Sequence, residues 1–368
     1  MIKRIKMQIF PAEPLSRFRE FVNEKLLSVK RTTSYLGLDI GSFSVKMVRV
    51  STEKDKVSLR NYGMSRIEDN NVSQAIRKVI GDSNVDAASV NIGLSGQGVI
   101  LRYAVLPKMP LKELRQSVGT EVDKYIPFPA AQVFLDCHIL KELPREHKVL
   151  VLIAAAKKDL VQKRIKLLSD LNLELNVIDI NSMALVNGFN ELRSKHSAIE
   201  SEGSFDGKSH AIAILNIGAN ISCLNILEDN IPKLSRDIYI GGNNFSKKIA
   251  YKLNLDFAAA EQLKCNPGED QWPKNLETCE LLLNNLTHEL RISFDYYETE
   301  NNIPIRKLYL CGGGASFKGI DSILSKSLGI ETEIWDPTPY LQIDPTININ
   351  DFKSKSSELA IAAGLALR

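Results

Sequence analysis

The chain has 368 residues, of which 44% are apolar, and 47 Lys and Arg against 44 Asp and Glu leave a net charge of +3. A chain of this length can bury one large core or a few smaller ones, so we expect several lobes. No apolar run approaches the roughly 18 residues that cross a bilayer, and five scattered cysteines without a C-x-x-C pair indicate reduced thiols in a cytoplasm. The five histidines show no ligand spacing, so we expect no structural metal site, and we expect no nucleic-acid partner.

A basic leader occupies residues 1–34, with eight basic against three acidic side chains, while the rest of the chain is slightly acidic. Between Glu13 and Lys30, apolar residues recur at steps of three and four, which predicts an amphipathic helix. Such a helix would lie on anionic lipid or occupy a groove on a partner. The alternatives are a helix packed on the body of the protein or a solvated arm, and the sequence leaves them all open.

Two strand-turn patterns repeat far apart in the chain, at Leu36–Ser42 and at Ala213–Ala219. In each, an apolar run ends in a short polar residue, Ile, Gly and a small residue, and a second apolar run follows, which predicts a β-hairpin. The glycine lets backbone N–H groups approach a phosphate, and Asp39 at the first strand end would hold a metal through water. The alternative is a plain hairpin turn. A repeated hairpin implies two related lobes that face one ligand.

The middle of the chain interrupts this repeat. Three predicted elements follow the first hairpin, namely strand Val57–Tyr62, helix Asn71–Ile80 and strand Ser89–Leu94. Strands and helices then mix, which indicates a small α+β insert rather than a parallel wound sheet. Its predicted elements are a strand from Leu101, helix Leu111–Tyr125, strands Gln132–Leu140 and Lys148–Ala155, and helix Lys158–Leu171. Pro127 and Pro129 hold an extended segment, and Phe128 between them would line a peptide groove or, alternatively, belong to the core.

The second half begins with Ser194–Ser209, a polar segment without periodicity that is typical of a connector between lobes. The helices predicted after the second hairpin are Asn244–Lys252, Phe257–Lys264 and Leu276–Tyr297, and the last carries an apolar stripe that faces a core. Lys353–Ser357 is predicted to be a surface loop.

Two smaller signals in this half suit a ligand. Glu261 and Lys264 lie three residues apart on one helix face, although an ordinary surface ion pair has the same spacing. A buried strand also runs into Gly312, Gly313 and Gly314, whose backbone suits a flat or anionic ligand.

Taken together, these motifs resemble the actin-like ATPase superfamily, and within it the PilM family of type IV pilus assembly proteins, over about residues 34–368. The first hairpin is similar to the family's first phosphate loop, Arg236–Asn243 resembles its nucleotide-side lobe, and Cys311–Gly319 resembles its adenosine loop. The closing Ala360–Arg368 also fits. The narrower assignment rests on Leu106–Pro110 and Glu121–Pro129, which resemble the small inserted domain that PilM shares with the cell-division protein FtsA.

The resemblance implies an α/β protein with a bilobal actin-like ATPase fold and an FtsA/PilM-type inserted α+β subdomain. The implied divisions are a basic amphipathic extension at 1–34, the first part of lobe I at 35–93, the inserted subdomain at 94–178, a return to lobe I and linker at 179–205, lobe II at 206–345, and a C-terminal return to lobe I at 346–368.

By the same resemblance, ATP and Mg²⁺ would sit between the lobes. The residues implied in contacts with phosphate are Gly41, Ser42, Ser44 and Lys46, and Asp39 would bind magnesium through water. Gly242 and Gly313 would approach the ribose and the adenine. The other implied nucleotide-binding residues are Asn216, Gly218, Gly241, Glu261, Lys264, Gly312 and Gly314. A partner peptide would contact Tyr125, Pro127, Phe128 and Pro129.

The second hairpin departs from the family pattern. The family typically has Asp-x-Gly-x-Gly-Thr-Thr here, whereas this chain has Asn216 at the Asp position and lacks the second Gly and both Thr residues. An amide offers magnesium or its waters no negative charge, and the missing glycine narrows the approach to a γ-phosphate. We therefore expect ATP binding with slow or absent hydrolysis, and we name no catalytic residue.

The implied function is that of a cytoplasmic assembly factor, peripheral on the inner-membrane face, in the platform of a type IV pilus. Its partner would be the N-terminal cytoplasmic peptide of a PilN-like membrane protein, and self-association is a further possibility. The alternatives are an ATP-hydrolysing kinase-like or chaperone-like enzyme of the same fold and a filament-forming division protein like FtsA. A kinase-like enzyme would need a general base near the phosphates.

Overall fold

The structure, a computed structural model, describes residues 33–53, 56–83, 89–194 and 210–368. The predicted leader helix and nearly all of the predicted connector lie outside these residues. The described strands are β1 (Thr33–Ile40), β2 (Ser44–Glu53), β3 (Lys56–Arg66), β4 (Ser89–Leu94), β5 (Val99–Pro107), β6 (Val133–Leu143), β7 (Lys148–Lys157), β8 (Glu174–Ile180), β9 (Ala211–Ile217), β10 (Ser222–Glu228), β11 (Ile231–Ile238), β12 (Ile305–Cys311), β13 (Glu331–Ile334) and β14 (Gln342–Ile343).

The described α-helices are α1 (Val72–Asp82), α2 (Leu111–Thr120), α3 (Lys158–Ser169), α4 (Asn181–Ser194), α5 (Gly242–Leu253), α6 (Phe257–Cys265), α7 (Trp272–Thr278), α8 (Glu280–Asn301), α9 (Ile320–Leu328), α10 (Ile349–Lys355) and α11 (Ala360–Ala366). Within the ranges that the structure covers, no helix is both long enough and apolar enough to cross a membrane.

Two sheets repeat one plan. Their strand orders are β14-β3-β2-β1-β4-β8 and β11-β10-β9-β12-β13. In both, the hairpin (β1 with β2, β9 with β10) and the next strand are antiparallel, while two parallel strands follow on the other side. Both hairpin predictions are confirmed, and the repeated sequence pattern corresponds to a repeated sheet.

The third sheet, β5-β7-β6, belongs to the insert between the two repeats. Its central strand β7 alternates between two cores because neighbouring side chains of a strand point to opposite faces. Val149, Val151 and Ile153 pack with α2 in the core of the insert, whereas Leu152 and Ala154 pack into the large core of the first sheet. One strand thus holds the insert against the body of the protein.

Helix α11 crosses α4 at a distance that only glycine permits. A β-carbon on Gly364 would lie 2.0 Å from the carbonyl oxygen of Ala184, and one on Gly188 would lie 2.7 Å from the Cα of Gly364. A β-carbon on Gly37 of β1 would lie 2.0 Å from the carbonyl oxygen of Ala362. The three glycines therefore let α4, α11 and β1 pack backbone against backbone.

Helix α4 also contacts the second sheet. The ring centroid of Phe189 lies 4.9 Å from that of Tyr309 and 5.3 Å from that of Trp335, in edge-on and tilted arrangements. Aromatic pairs at this distance stabilise beyond the apolar area that they bury. The two repeats consequently share a core under the cleft that separates them.

Three predictions of elements are wrong in part. The predicted helix Leu111–Tyr125 ends at Thr120, and a separate 3₁₀ turn covers Val122–Lys124. The predicted helix Leu276–Tyr297 is two helices, because the chain bends at buried Cys279, whose thiol lies 3.8 Å from the carbonyl oxygen of Phe245. The segment Lys353–Ser357 is not a surface loop, since α10 extends to Lys355 and Ser356 is buried with its hydroxyl donating to Asp336 at 3.1 Å. In the last two cases a residue far along the chain contacts the deviating segment.

We expect Gly364→Ala to lower the free energy of unfolding by about 1–3 kcal/mol or more, because the added methyl group overlaps a backbone carbonyl of α4. Urea unfolding measures the change. The matched control is Gly81→Ala in α1, where nothing lies within 4 Å of the added carbon, and which should stabilise by about 0.5–1 kcal/mol. A Gly364→Ala protein as stable as the wild type would show that the crossing relaxes freely.

Candidate functional site

The first hairpin presents a charged pair at the mouth of its turn. The N–H of Gly41 donates to the carbonyl oxygen of Ser44 at 3.1 Å, and a β-carbon on Gly41 would lie 2.9 Å from that oxygen, so the turn excludes a side chain. Asp39 and Lys46 are cross-strand neighbours, with Nζ 3.6 Å from the carboxylate, and Asp39 is only 4% exposed. Lys46 therefore places an ammonium in the cleft, where it can attract an anion, and the buried carboxylate of Asp39 lies beside it.

The second hairpin repeats this backbone without its charges. Gly218 N–H donates to the carbonyl oxygen of Ile221 at 3.1 Å, and a β-carbon on Gly218 would lie 2.6 Å from that oxygen. The cross-strand pair at the place of Asp39 and Lys46 is Asn216 with Cys223. Burial, and then the charge of Asp237, raise the pKa of the Cys223 thiol well above its usual value. This hairpin is therefore neutral where the first is charged.

The tips of the two hairpins touch. Asn220 donates to the hydroxyl of Ser42 at 3.0 Å, and Asn243 donates to the side-chain oxygen of Asn220 at 2.9 Å. The backbone N–H of Asn243 in turn donates to the carbonyl oxygen of Ala219 at 2.7 Å. These bonds define one end of a cleft between the two repeats.

The loop between β11 and α5 packs on the second hairpin. Gly242 N–H donates to the carbonyl oxygen of Gly218 at 2.8 Å, and a β-carbon on Gly241 would lie 2.6 Å from the carbonyl oxygen of Ala219. Gly242 lines the cleft, whereas Gly241 lies behind it with its N–H bonded to Asn244. Of the two predicted glycines, Gly242 faces the cleft, and Gly241 lets the loop pack closely against the second hairpin.

The triple-glycine loop packs against the second hairpin on the same side of the cleft. Gly312 has φ +84° and a β-carbon there would lie 2.5 Å from Oδ1 of Asn216, so only glycine fits. A β-carbon on Gly314 would meet the side chain of Ile217 at 2.2 Å. Gly313 is different, because a β-carbon there would meet only the carboxylate of Glu358, tightly at 3.3 Å. Gly312 and Gly314 therefore serve packing against the second hairpin, while Gly313 and Glu358 face the cleft.

Glu261 and Lys264 form a buried pair on α6, so the alternative of an ordinary surface ion pair is wrong. They are 8% and 1% exposed, and Nζ lies 2.8 Å from the carboxylate. Lys264 also donates to the carbonyl oxygen of Gly242 at 3.3 Å, and Ser246 donates to the carboxylate. Burial opposes ionisation of Glu261, but Lys264 and these hydrogen bonds hold its pKa below the usual range.

All these elements line one cleft of about 810 Å³. Of the predicted nucleotide-binding residues, the structure brings together Asp39, Gly41, Ser42, Ser44, Lys46, Asn216, Gly218, Gly242, Glu261, Lys264, Gly312, Gly313 and Gly314, while Gly241 stands behind the wall. Six basic side chains face four carboxylates along this lining, so the cleft is suited to an anion.

Asn220 and Asp237, which line the cleft, lie within two segments already singled out, the second hairpin and Arg236–Asn243. Five further lining residues have no signal in the sequence, namely Arg66, Arg102, Arg164, Asn181 and Glu358. Asn181 begins α4 and donates to Asp39 at 3.5 Å and to Ser95 at 3.3 Å. No local pattern marks these residues, because they reach the cleft from separate segments of the chain and only the topology brings them together.

The donor set near Asp39 suits magnesium held mainly by phosphate and water. Within the described ranges, no group of three or more His, Cys, Asp or Glu residues could hold a metal directly. Mg²⁺ retains several waters and commonly takes one or two carboxylates plus substrate phosphates. Asp39 alone meets that requirement, whereas Asn216 adds only an amide, with Oδ1 3.8 Å from the thiol sulfur of Cys311.

The predicted partner-binding residues lie on the insert, away from the cleft. Tyr125 and Phe128 are half-buried and pack against the core of the insert, while Pro127 and Pro129 are exposed. Lys157 holds its ammonium 4.4 Å from the centroid of the Phe128 ring, a favourable cation–π distance. We call Tyr125, Pro127, Phe128 and Pro129 the Phe128 surface; it combines a partly exposed ring with two exposed, rigid prolines.

Comparisons with known proteins agree with this architecture. A family model described as type IV pilus assembly protein PilM matches residues 37–368. A solved PilM-PilN type IV pilus biogenesis complex contains a chain that is 27% identical, with a TM-score of 0.79 over 92% of this chain and 99% of that chain. A diol dehydratase-reactivating factor in nucleotide-free form is 10% identical, with a TM-score of 0.50 over 91% of this chain and 99% of that chain, which shows similarity of fold alone. The α/β class and the bilobal actin-like fold with its insert are confirmed.

We expect Lys264→Met to destabilise the protein by about 3–5 kcal/mol at neutral pH, because it leaves the Glu261 carboxylate buried without its cation. Urea unfolding at several pH values measures this. In the wild type, the lowered pKa means that stabilisation by the pair is present above the ordinary pKa of a glutamate and is lost as the pH falls through the folded value. In the variant, the lowering of the Glu261 pKa by Lys264 is lost while burial still raises it, so the deficit should shrink as the pH falls.

The control is Lys252→Met, which removes an exposed lysine from α5 and should change stability by no more than about 0.5 kcal/mol. A Lys264→Met deficit that is equally small, or that does not depend on pH, would contradict a buried ionised pair.

Proposed function

The chain belongs to the type IV pilus assembly protein PilM family, and we propose that it is a nucleotide-binding assembly factor of a pilus inner-membrane platform. Its partner is the N-terminal cytoplasmic peptide of a PilN-like membrane protein. The observation that carries the proposal is the similarity of nearly the whole chain to a protein solved as a PilM-PilN complex. The family match favours this function over the kinase-like, chaperone-like and division-protein alternatives.

The nucleotide in this proposal is ATP, bound in the cleft between the repeats. The turn of the first hairpin and Lys46 face the phosphates, Gly313 leaves space for the nucleoside, and Glu261 lies at the same wall. Asp39 would hold Mg²⁺ through water, and the ion would neutralise phosphate charge there. Slow or absent turnover is part of the proposal, since Asn216 supplies an amide at the position where the family pattern has an Asp, and its cross-strand partner is the neutral thiol of Cys223.

The partner peptide binds at the Phe128 surface in this proposal. A partly buried aromatic ring flanked by rigid prolines has the features of an anchor for an extended peptide, because it adds apolar area at little entropic cost. Binding a membrane-anchored peptide would place the protein at the cytoplasmic side of the inner membrane. The division limits given above for the lobes and the insert are part of the same proposal, as is the basic extension at 1–34 as a membrane or partner contact.

We expect MgATP to raise the melting temperature of the wild type by mass action, with a stabilisation of about 2.7 kcal/mol when ATP is a hundredfold above its dissociation constant. Gly313→Val should abolish this shift, because its side chain would project into the cleft beside Glu358. The matched control is Gly268→Val, where nothing lies within 4 Å of the added carbon, and which should keep the shift. Differential scanning fluorimetry measures all three.

An unchanged melting temperature of the wild type at millimolar ATP would contradict nucleotide binding. Measuring phosphate release in the same samples distinguishes a nucleotide-binding protein from an ATP-hydrolysing enzyme. Steady turnover by the wild type would contradict the proposal that hydrolysis is slow or absent.

We expect Phe128→Ala to weaken binding of a synthetic peptide with the cytoplasmic N-terminal sequence of the PilN-like protein by about tenfold or more, as loss of an aromatic anchor does. Isothermal titration calorimetry measures the affinity. Tyr251→Ala, which removes an exposed aromatic from α5, is the control and should bind as the wild type does. Equal affinities of the two variants would place the peptide elsewhere.

A further inference from the structure

Arg164 reaches the cleft from the insert side of the molecule. It lies on α3, which begins at Lys158 directly after the last residue of β7, Lys157. Its Nη2 donates to the carbonyl oxygen of Ile40 at 3.3 Å, and Ile40 is the residue between Asp39 and Gly41 in the first hairpin. The guanidinium therefore sits beside the turn that would face a phosphate.

The guanidinium has donors without acceptors. Its Nε is buried and has no hydrogen-bond partner among the described residues, although a guanidinium carries five N–H donors. Leaving such a group unpaired away from water costs free energy. The carboxylate of Asp39 attracts Arg164 but is already paired with Lys46 at 3.6 Å. The cleft thus holds a guanidinium with at least one unpaired donor, at a place where an anion would supply acceptors.

We propose that Arg164 is a ligand of the phosphate groups of the bound nucleotide and that through α3 it couples occupancy of the cleft to the Phe128 surface. This inference rests on the proposed function and deepens it. Arg is well suited to the role because its planar fork binds two phosphate oxygens at once.

The mechanical connection runs along a continuous stretch of chain. Lys157 stands one residue before α3, its ammonium lies 4.4 Å from the centroid of the Phe128 ring, and its N–H donates to the carbonyl oxygen of Gly98 at 2.8 Å. No loop separates Lys157 from the helix that carries Arg164, so a displacement of α3 that brings the guanidinium toward phosphate also displaces Lys157. The cation over Phe128 is the group that senses this shift.

Coupling of this kind is reciprocal. If ATP changes the affinity of the Phe128 surface for a peptide by some factor, the peptide changes the affinity for ATP by the same factor. The coupling is carried by Arg164 in the middle of α3 and by Lys157 directly before its first residue. Removing the guanidinium should abolish the coupling while leaving both binding surfaces in place.

The first test measures the affinities of the full chain for ATP and for adenosine by calorimetry. Arg164→Gln should lower the affinity for ATP by about tenfold or more, because a charge-assisted hydrogen bond is lost. The affinity for adenosine should stay within about twofold of the wild-type value. The control is Lys163→Gln, which removes one positive charge from the same helix at a side chain that is 78% exposed. It should leave both affinities unchanged.

The outcomes are distinct. Equal ATP affinity of Arg164→Gln and the wild type overturns the inference, and so does an equal loss for adenosine, which would indicate a structural role. A wild type that binds neither ligand overturns the proposed function itself.

The second test measures the affinity for the synthetic PilN-like peptide with and without ATP. The peptide affinity of the wild type should differ between the two conditions. In Arg164→Gln the two affinities should be equal, and the affinity without nucleotide should match that of the wild type. If Arg164→Gln fails to fold, Arg164→Lys keeps the charge without the fork and should retain only part of the ATP affinity. A wild-type peptide affinity that ignores ATP overturns the coupling.

Discussion

The close crossing of α4 and α11 is the constraint on which the cleft depends. Because Gly188 and Gly364 let the two helices meet backbone to backbone, α11 lies flat against both α4 and β1. The chain just before α11 then reaches the triple-glycine loop, where the carbonyl oxygen of Ser357 accepts from Gly312 at 2.8 Å. The start of α4 meanwhile places Asn181 beside Asp39. One crossing thus positions groups on both walls.

The two hairpins have the same backbone but different charges, and this difference determines which ligand the cleft can hold. The two hairpins share the same glycine turn and the same i to i+3 hydrogen bond, so their geometry offers a phosphate the same backbone. Electrostatics differ, since a carboxylate and an ammonium in the first hairpin correspond to an amide and a neutral thiol in the second. An anion would therefore be held mainly from the first repeat, with Lys264 supplying the buried cation of the second.

The insert is attached to the body rather than appended to it. Strand β7 contributes alternate side chains to two cores, so the insert cannot move as a rigid unit without disturbing packing beneath the first sheet. Its following helix α3 extends to the cleft. A surface on the insert and a ligand in the cleft are in this way connected by regular structure.

The sequence by itself determined the features that short-range physics controls. Both hairpins, the triple-glycine turn and most helices follow from apolar periodicity and from glycines placed where a side chain would strike a carbonyl. Only the tertiary structure decided which polar groups are buried and what they contact. The same i,i+3 spacing suits a surface pair and the buried Glu261–Lys264 pair, and nothing near Arg164 or Ser356 signals partners 124 and 20 residues away. Local spacing cannot distinguish these cases, because burial depends on the elements that the topology brings from elsewhere in the chain.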